Sequence, residues 1–436
     1  MPLSPQLWPD TAALHDGRLQ LGGCDVVALA QAYGTPLYLF DEATIRGAMR
    51  AYVAAFAATG ASFRVHYASK ALLNLALAQI VTQEGLGLDV VSGTELLLAR
   101  RAALPLSHVH MHGNAKSDAE LERAVAWGVG ALVADSLDEI ERLAALTEGR
   151  DHAQGVLLRL APNIDAQTHA HIATGGSNSK FGLPLAALDA AATRVLAAPG
   201  LHLRGLHAHI GSQLFALDEL RATVAVLVEQ AARLRDRHGV TVAELSPGGG
   251  LGVAYTADQQ PGDIAAYAKA LTETLRARCA AHGLPPPRLT VEPGRSIIAR
   301  AGVALYTVVG RKRDGADAVQ FVHIDGGMAD NIRPALYGAR YTALLANRAD
   351  APVGPPVAVA GRYCESGDVL LRAIALPPAQ LGDTLAVATA GAYTLSMAST
   401  YNLVPRPAVL LVRDGHARLI QRRETEHDLL ARDLAL

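Results

Sequence analysis

Cysteine is scarce in this chain: three residues in 436, Cys24, Cys279 and Cys364, odd in number and far apart. They cannot be drawn into a disulfide framework, and such usage suits a reducing compartment. Charge of one sign is also missing, since 39 Lys and Arg stand against 41 Asp and Glu for a formal net charge of -2. A balance this close to neutral makes no field that gathers nucleic acid or an anionic membrane, which leaves small molecules as the expected partners. Nor is there an apolar run approaching the roughly 20 residues of a membrane span. Met1 to Gln20 carries prolines and acids where a signal peptide needs a basic start and an apolar stretch. Together these absences predict a soluble, cytoplasmic protein with neither nucleic-acid nor membrane partner.

What the chain does have is apolar mass. Half of its residues are hydrophobic and only 18% are charged, enough for a large core, and 436 residues are too many for one ordinary domain. From Leu37 onward short apolar runs alternate with Ala/Leu-rich segments at helical spacing, the pattern of repeated strand-helix units on a parallel sheet. The runs are Phe63 to Tyr67, Gly87 to Val91, Ser107 to His112, Ala131 to Ala134, Val156 to Leu160, Leu203 to Ile210, Thr241 to Leu245 and Arg288 to Val291. Helices are expected between them, among others over Thr94 to Ala102, Ser136 to Leu146, Asp218 to His238 and Ile264 to His282. Eight such units are the size and rhythm of a (β/α)8 barrel.

After Arg300 the rhythm changes to β-rich runs split by Gly, Pro and Asp: Val303 to Val309, Ala318 to Ile324, Pro356 to Ala360, Thr384 to Ala388 and Ala408 to Val412. The expected fold class is therefore α/β plus all-β. Residues 37–300 would form the barrel, and residues 1–36 would join 301–436 in an antiparallel β-sandwich or β-barrel domain.

Barrels of this kind build their sites from loops at the carboxyl ends of the strands, so the residues after each run are the ones to read. The first run leads into Tyr67-Ala68-Ser69-Lys70-Ala71. A lysine buried at a barrel mouth would have a depressed pKa and a nucleophilic amine, although one lysine alone is more often a surface charge. Asp89, toward the end of the second run, suits either a partner for a neighbouring cation or a loop or helix-capping acid. The seventh run is followed by Gly248-Gly249-Gly250, and the eighth by Glu292-Pro293-Gly294-Arg295. Bare glycine backbone and an arginine fork favour an anion, and these two loops are where such barrels most often seat a phosphate. Glu292 could hold the protonated ring nitrogen of pyridoxal 5'-phosphate (PLP) and make the ring an electron sink, or could simply pair with Arg295. His207 and His209, two apart on one strand, face the same way. They suit either an imidazole lying over a flat cofactor with Ser212 beside it, or a zinc site, for which no third ligand has an obvious strand-end position. Cys364 reads on composition alone as a packing residue.

Ten ordered segments resemble one family, the fold type III PLP-dependent decarboxylases, and most of all those that act on diaminopimelate. They are YASKA at 67–71, DVVSGTEL at 89–96, HGNAK at 112–116, SKFG at 179–182, HAHIGSQ at 207–213, GGGLG at 248–252, EPGR at 292–295, IRPALY at 332–337, CESGD at 364–368 and GAY at 391–393. The resemblance implies an alanine-racemase-like barrel with a β domain, and a homodimer with shared active sites. It makes Lys70 the cofactor-linked lysine, His209 the residue stacked on the ring and Glu292 the partner of the ring nitrogen. Gly248, Gly249, Gly250, Gly294 and Arg295 fall on phosphate-binding positions. Asp89, Arg159, Ser212 and Tyr393 fall on further cofactor positions. Cys364 becomes the proton donor from the other subunit, and Arg295, Arg333, Tyr337, Glu365 and Tyr393 the substrate pocket.

Two stretches depart from the commoner family form: Gly327-Met328-Ala329-Asp330-Asn331, and Gly338-Ala339-Arg340-Tyr341, where histidine is frequent. The implied reaction is decarboxylation of meso-2,6-diaminopimelate to L-lysine. A decarboxylase of D-ornithine, D-lysine or carboxynorspermidine, a binding protein that has lost catalysis, and a zinc-dependent barrel hydrolase remain open alternatives at this point.

Overall fold

The computed structural model describes residues 3–164, 180–313 and 319–436. Ser179 of the SKFG segment and Ala318, the expected start of a strand, lie outside the described residues. The chain divides into two units, one of residues 49–252 and 262–294, the other of residues 1–48, 253–261 and 295–436.

The first unit is a closed parallel barrel. Its eight strands are Phe63–Ala68, Gly87–Val90, Val109–Met111, Ala131–Ala134, Gln154–Ala161, Leu201–His207, Glu244–Ser246 and Arg288–Val291. Each is parallel to the next, and the last pairs with the first through Val291 and Val65. Strands such as Ala131–Ala134 are buried along their whole length, because helices cover one face and the barrel interior the other. Polar residues at strand ends start the helices: Ser92, Ser117 and Ser136 accept the N–H of Glu95, Glu120 and Glu139, satisfying donors left open at a helix start. Gly239 stops Asp218–His238 in a left-handed cap at φ 68°.

All eight expected strands are present, two with the expected ends, Ala131–Ala134 and Arg288–Val291, and six with shifted ends. The sixth runs over Leu201–His207 and stops short of Ile210, because the chain turns there into the site loop. A two-residue strand, Leu183–Pro184, flanks the fifth and was not anticipated.

The second unit holds a mixed sheet, which corrects the antiparallel expectation. Its main path runs Val369–Ala375, Pro356–Ala360, Phe321–Ile324, Gly302–Lys312, Leu37–Asp41, Ala408–Arg413, His416–Gln421. Phe321–Ile324 with Pro356–Ala360, and Leu37–Asp41 with Ala408–Arg413, are parallel pairs. Both join segments far apart in sequence, so the long crossover that parallel neighbours require is available. Leu37–Asp41 is buried throughout and lies in this sheet, against Gly302–Lys312 on its other side. Trp8, Leu19, Leu21, Val26, Leu37, Leu39, Val303, Leu305 and Leu410 share one apolar core in this unit. Among the described residues no helix is long and apolar enough to cross a membrane. The three cysteines are free; Cys24 and Cys279 are buried.

Candidate active site

The barrel holds a cavity of about 350 Å³ lined by residues at or beyond the carboxyl ends of its strands, among them Ser69, Lys70, Asp89, His112, Lys116, Arg159, Phe181, His207, His209 and Glu292. Six residues singled out in the sequence, Lys70, Asp89, Arg159, His207, His209 and Glu292, are thus brought to one place.

Glu292 follows the eighth strand and is buried. Its carboxylate lies 3.2 Å from His207 Nε2 and accepts the Ser246 hydroxyl at 2.6 Å. Burial alone would raise its pKa, but the imidazoles of His207 and His112 and the Ser246 hydroxyl outweigh that and hold it well below the usual carboxylate range. Burial lowers the pKa of His207 from its ordinary value, with Glu292 offsetting only part of that. His209 is also held well below its ordinary value, by burial first and by Lys70 second. A neutral, flat ring is the form suited to lying over another ring.

Asp89 accepts from His66 Nδ1 at 2.9 Å and lies 3.4 Å from His112 Nε2. Arg159 is buried, 3.4 Å from Asp135 and stacked over the Phe181 ring at 4.4 Å. Lys116 is tied down by the Gly113 and Val133 carbonyls and by Glu139 at 2.7 Å, so a second lysine borders the cavity with its ammonium already occupied.

Lys70 departs from expectation. It is exposed rather than buried, because it sits on a single 3-10 turn, Ser69–Ala71, just past the end of its strand. The turn is anchored by Ser69, whose hydroxyl donates to Glu95 at 2.6 Å.

The glycine run after the seventh strand has room for backbone only. A Cβ on Gly248 would meet His209 Nδ1 at 2.5 Å, one on Gly249 the Glu292 carbonyl oxygen at 2.1 Å, and one on Gly250 the Gly211 carbonyl oxygen at 2.6 Å. Gly248 and Gly250 also have φ of +77° and +112°, which side chains disfavour. A Cβ on Gly294 would lie 3.1 Å from Ala68 and Ala71, a less severe approach, and Ser212 is half-buried on the loop beyond His209.

The second unit gathers the remaining residues differently. Buried Arg295 donates to Tyr255 Oη at 2.7 Å and lies over the Tyr393 ring at 4.6 Å. Buried Arg333 donates to Tyr341 Oη and lies over the Tyr255 ring at 4.4 Å. Tyr337 closes the short helix Arg333–Tyr337 and is half-buried. Cys364 and Glu365 are exposed on a turn, so the packing role that composition suggests for Cys364 does not hold.

Residues 42–299 match the family model described as pyridoxal-dependent decarboxylase, pyridoxal binding domain. The chain belongs to the pyridoxal-dependent decarboxylases. Within that family, the diaminopimelate decarboxylase of Halalkalibacterium halodurans is 42% identical over 423 residues, 96% of either chain. That of Actinosynnema pretiosum subsp. auranticum is 44% identical over 438 residues, 99% of this chain and 96% of the relative. The solved diaminopimelate decarboxylase of M. jannaschii superposes with a TM-score of 0.92 at 33% identity, covering 98% of both chains. The Helicobacter pylori enzyme complexed with L-lysine gives 0.86 at 30%, over 93% of this chain and 98% of that one.

The family's cofactor, PLP, fits the residues present: bare glycine backbone for a phosphate, a buried carboxylate anion, a flat neutral imidazole, and an accessible lysine amine. Several residues around these groups were not singled out by the sequence. His112 was within reach, since it opens the HGNAK segment directly after the third strand. With His207 and Glu292 it offers three ligand atoms within 4.8 Å of one another, the third ligand that the sequence did not suggest for a zinc site. Tyr255 and Tyr341 carry no signal beyond residue type; only the fold sets them against the two arginines.

Proposed function

We propose that the chain is a PLP-dependent carboxy-lyase that converts meso-2,6-diaminopimelate to L-lysine and CO2. The observation that carries the reading is the buried Glu292 carboxylate, held by His207 and Ser246 in a pocket that also presents Lys70. When bound, PLP supplies a protonated pyridine ring able to draw electrons from a breaking C–COO bond. Glu292 would hold the proton on the ring nitrogen, since a carboxylate already ionised is the group that favours a cation beside it. Lys70 would carry the cofactor, His209 would lie against its ring, and Gly248, Gly249, Gly250 and Gly294 would take its phosphate with Arg295. Asp89, Arg159, Ser212 and Tyr393 would complete the cofactor contacts.

For the substrate, we assign Arg295, Arg333, Tyr337 and Tyr393 to the end that keeps its carboxylate, and Glu365 to the distal amine. Cys364, exposed on its turn, would return a proton to the carbon that lost CO2, acting on the site of a partner chain in a homodimer. We assign cofactor binding to the barrel unit and a contribution to the dimer site to the β unit. The cytoplasm is the compartment that three free cysteines suit.

Borohydride reduction of the yellow holoenzyme, followed by peptide mapping, should place the adduct on Lys70. Meso-diaminopimelate should yield CO2 and L-lysine, with ornithine and lysine far poorer substrates. A Lys70→Arg enzyme evolving CO2 at the parent's rate, or equal turnover of ornithine, would contradict the assignment. Stoichiometric zinc without a chromophore would favour the cluster of His112, His207 and Glu292 as a metal centre instead.

A further inference from the structure

Residues 253–261 belong to the second unit although the chain on both sides of them belongs to the barrel unit. This short excursion delivers Tyr255, which is buried and held at both ends of its backbone: its N–H donates to Gln259 Oε1 at 2.8 Å, and its carbonyl accepts the Thr342 hydroxyl at 3.1 Å. Both arginines assigned to the substrate meet on it. Arg295 donates to its hydroxyl at 2.7 Å, and Arg333 lies over its ring with the guanidinium carbon 4.4 Å from the centroid. Tyr341 completes the arrangement, edge-on to Tyr255 at 5.2 Å and accepting from Arg333 Nη1.

Two guanidinium groups on one buried side chain repel each other, and burial adds a desolvation cost to each. Aromatic faces and phenol oxygens offset part of that, because the ring face carries partial negative charge. Among the described residues no carboxylate forms an ion pair with Arg333, although it is buried. A buried cation held only by phenols is a site prepared for an anion from outside.

We propose that Tyr255 is a positioning residue that fixes Arg295 and Arg333 as one carboxylate-binding pair. The proposal rests on the substrate assignment above. The hydroxyl sets Arg295, the ring sets Arg333, and a carboxylate entering between them takes charge-assisted hydrogen bonds from guanidinium groups whose geometry is already fixed. Electrostatics agree: burial would raise the Tyr255 phenol, yet the two guanidinium groups bring it below its ordinary value, and the phenols raise Arg333 above its own.

The test compares two ligands of the PLP-loaded enzyme by calorimetry: L-lysine, which keeps a carboxylate, and cadaverine, the same diamine without it. Tyr255→Leu removes both contacts and should weaken L-lysine binding by about tenfold or more, the loss expected for misplacing a charged hydrogen-bonding group, while cadaverine changes by less than about twofold. Tyr255→Phe loses only the hydrogen bond to Arg295 and should weaken L-lysine by a smaller factor, again sparing cadaverine; it is also the variant that keeps the ring's packing if Tyr255→Leu does not fold. In turnover, KM for meso-diaminopimelate should rise in step with the L-lysine constant, with kcat nearly unchanged. Equal weakening of both ligands, or L-lysine binding unaltered in Tyr255→Phe and Tyr255→Leu, overturns the proposal. A parent enzyme that binds L-lysine in preference to cadaverine yet releases no CO2 from meso-diaminopimelate would count against the functional assignment alone.

Discussion

His207 Nε2 lies 3.2 Å from the Glu292 carboxylate, and this contact, with the Ser246 hydroxyl at 2.6 Å, fixes a negative charge on the floor of the pocket. Glu292→Gln keeps the shape and removes the charge. The His207 and Ser246 contacts can persist to an amide, so folding should be little changed. Without an anion to hold the ring proton, kcat should fall by about 100-fold or more, the scale seen when one electrostatic stabiliser of a reaction is removed. Steady-state kinetics beside thermal unfolding checks this, and a kcat within twofold of the parent would show that the floor charge is dispensable.

Gly249 and Glu292 are linked through backbone rather than side chains. A methyl group at Gly249 would sit 2.1 Å from the Glu292 carbonyl oxygen, too close for either strand end to stay in place. Gly249→Ala should therefore displace the glycine loop and Glu292 together. The expected result is a folded barrel that loses PLP on dialysis, read from absorbance and restored only at high added cofactor. Full retention of cofactor would mean that the loop can shift without harming the phosphate site.

Asp368 ties two loops of the second unit together. Its carboxylate accepts the Met328 N–H at 2.7 Å and the Tyr363 N–H at 2.9 Å, and so stands between the segment leading to Arg333 and the turn bearing Cys364 and Glu365. Asp368→Ala leaves the buried Tyr363 donor unmatched, at roughly 1–3 kcal/mol, and the half-buried Met328 donor unmatched at a smaller cost. Unfolding should move to lower denaturant, and kcat should drop about tenfold if Cys364 is the proton donor, since a misplaced acid loses general-acid rate. PLP content should not change. Normal kcat in a destabilised variant would separate the turn from the proton transfer.

The barrel was legible because its signal repeats: each buried strand is a short apolar run, each helix an amphipathic one, and a serine often marks the junction. The second unit was less legible. The parallel pairing of Leu37–Asp41 with Ala408–Arg413 brings together segments from opposite ends of the chain, and no local pattern records it. The site divides along the same line. Glu292, His209 and the glycine run sit just past strand ends, where position predicts direction. Lys70 was correctly placed but wrongly expected to be buried, because a single 3-10 turn decides exposure and leaves no periodic trace. Tyr341 lay in a stretch noted only as a departure from the family, and its contact with Arg333 depends on packing that the sequence does not encode locally.

Asp330, in the other departing stretch, gives the second unit a pH dependence of unusual sign. It is buried with Tyr306 donating to its carboxylate at 2.5 Å, Tyr38 at 3.3 Å and the Gly327 N–H at 2.9 Å, and Asp368 is a further negative neighbour. Burial outweighs the hydrogen bonds and raises its pKa from 3.8 to about 6. Between those values the folded chain holds a proton that the unfolded chain has released, so stability falls as pH rises through the window, and the loss is complete above the folded pKa. A shift of that size corresponds to a contribution on the order of 3 kcal/mol. Asp330→Asn cannot titrate, while its amide can still accept from Gly327 and donate to a tyrosine oxygen. Urea unfolding of both proteins from pH 4 to pH 7 should therefore give a difference curve in which the variant gains on the parent as pH rises, levelling off above about pH 6. A flat difference would show that Asp330 is ionised in the folded protein throughout, stabilised by its two tyrosines more strongly than burial opposes it.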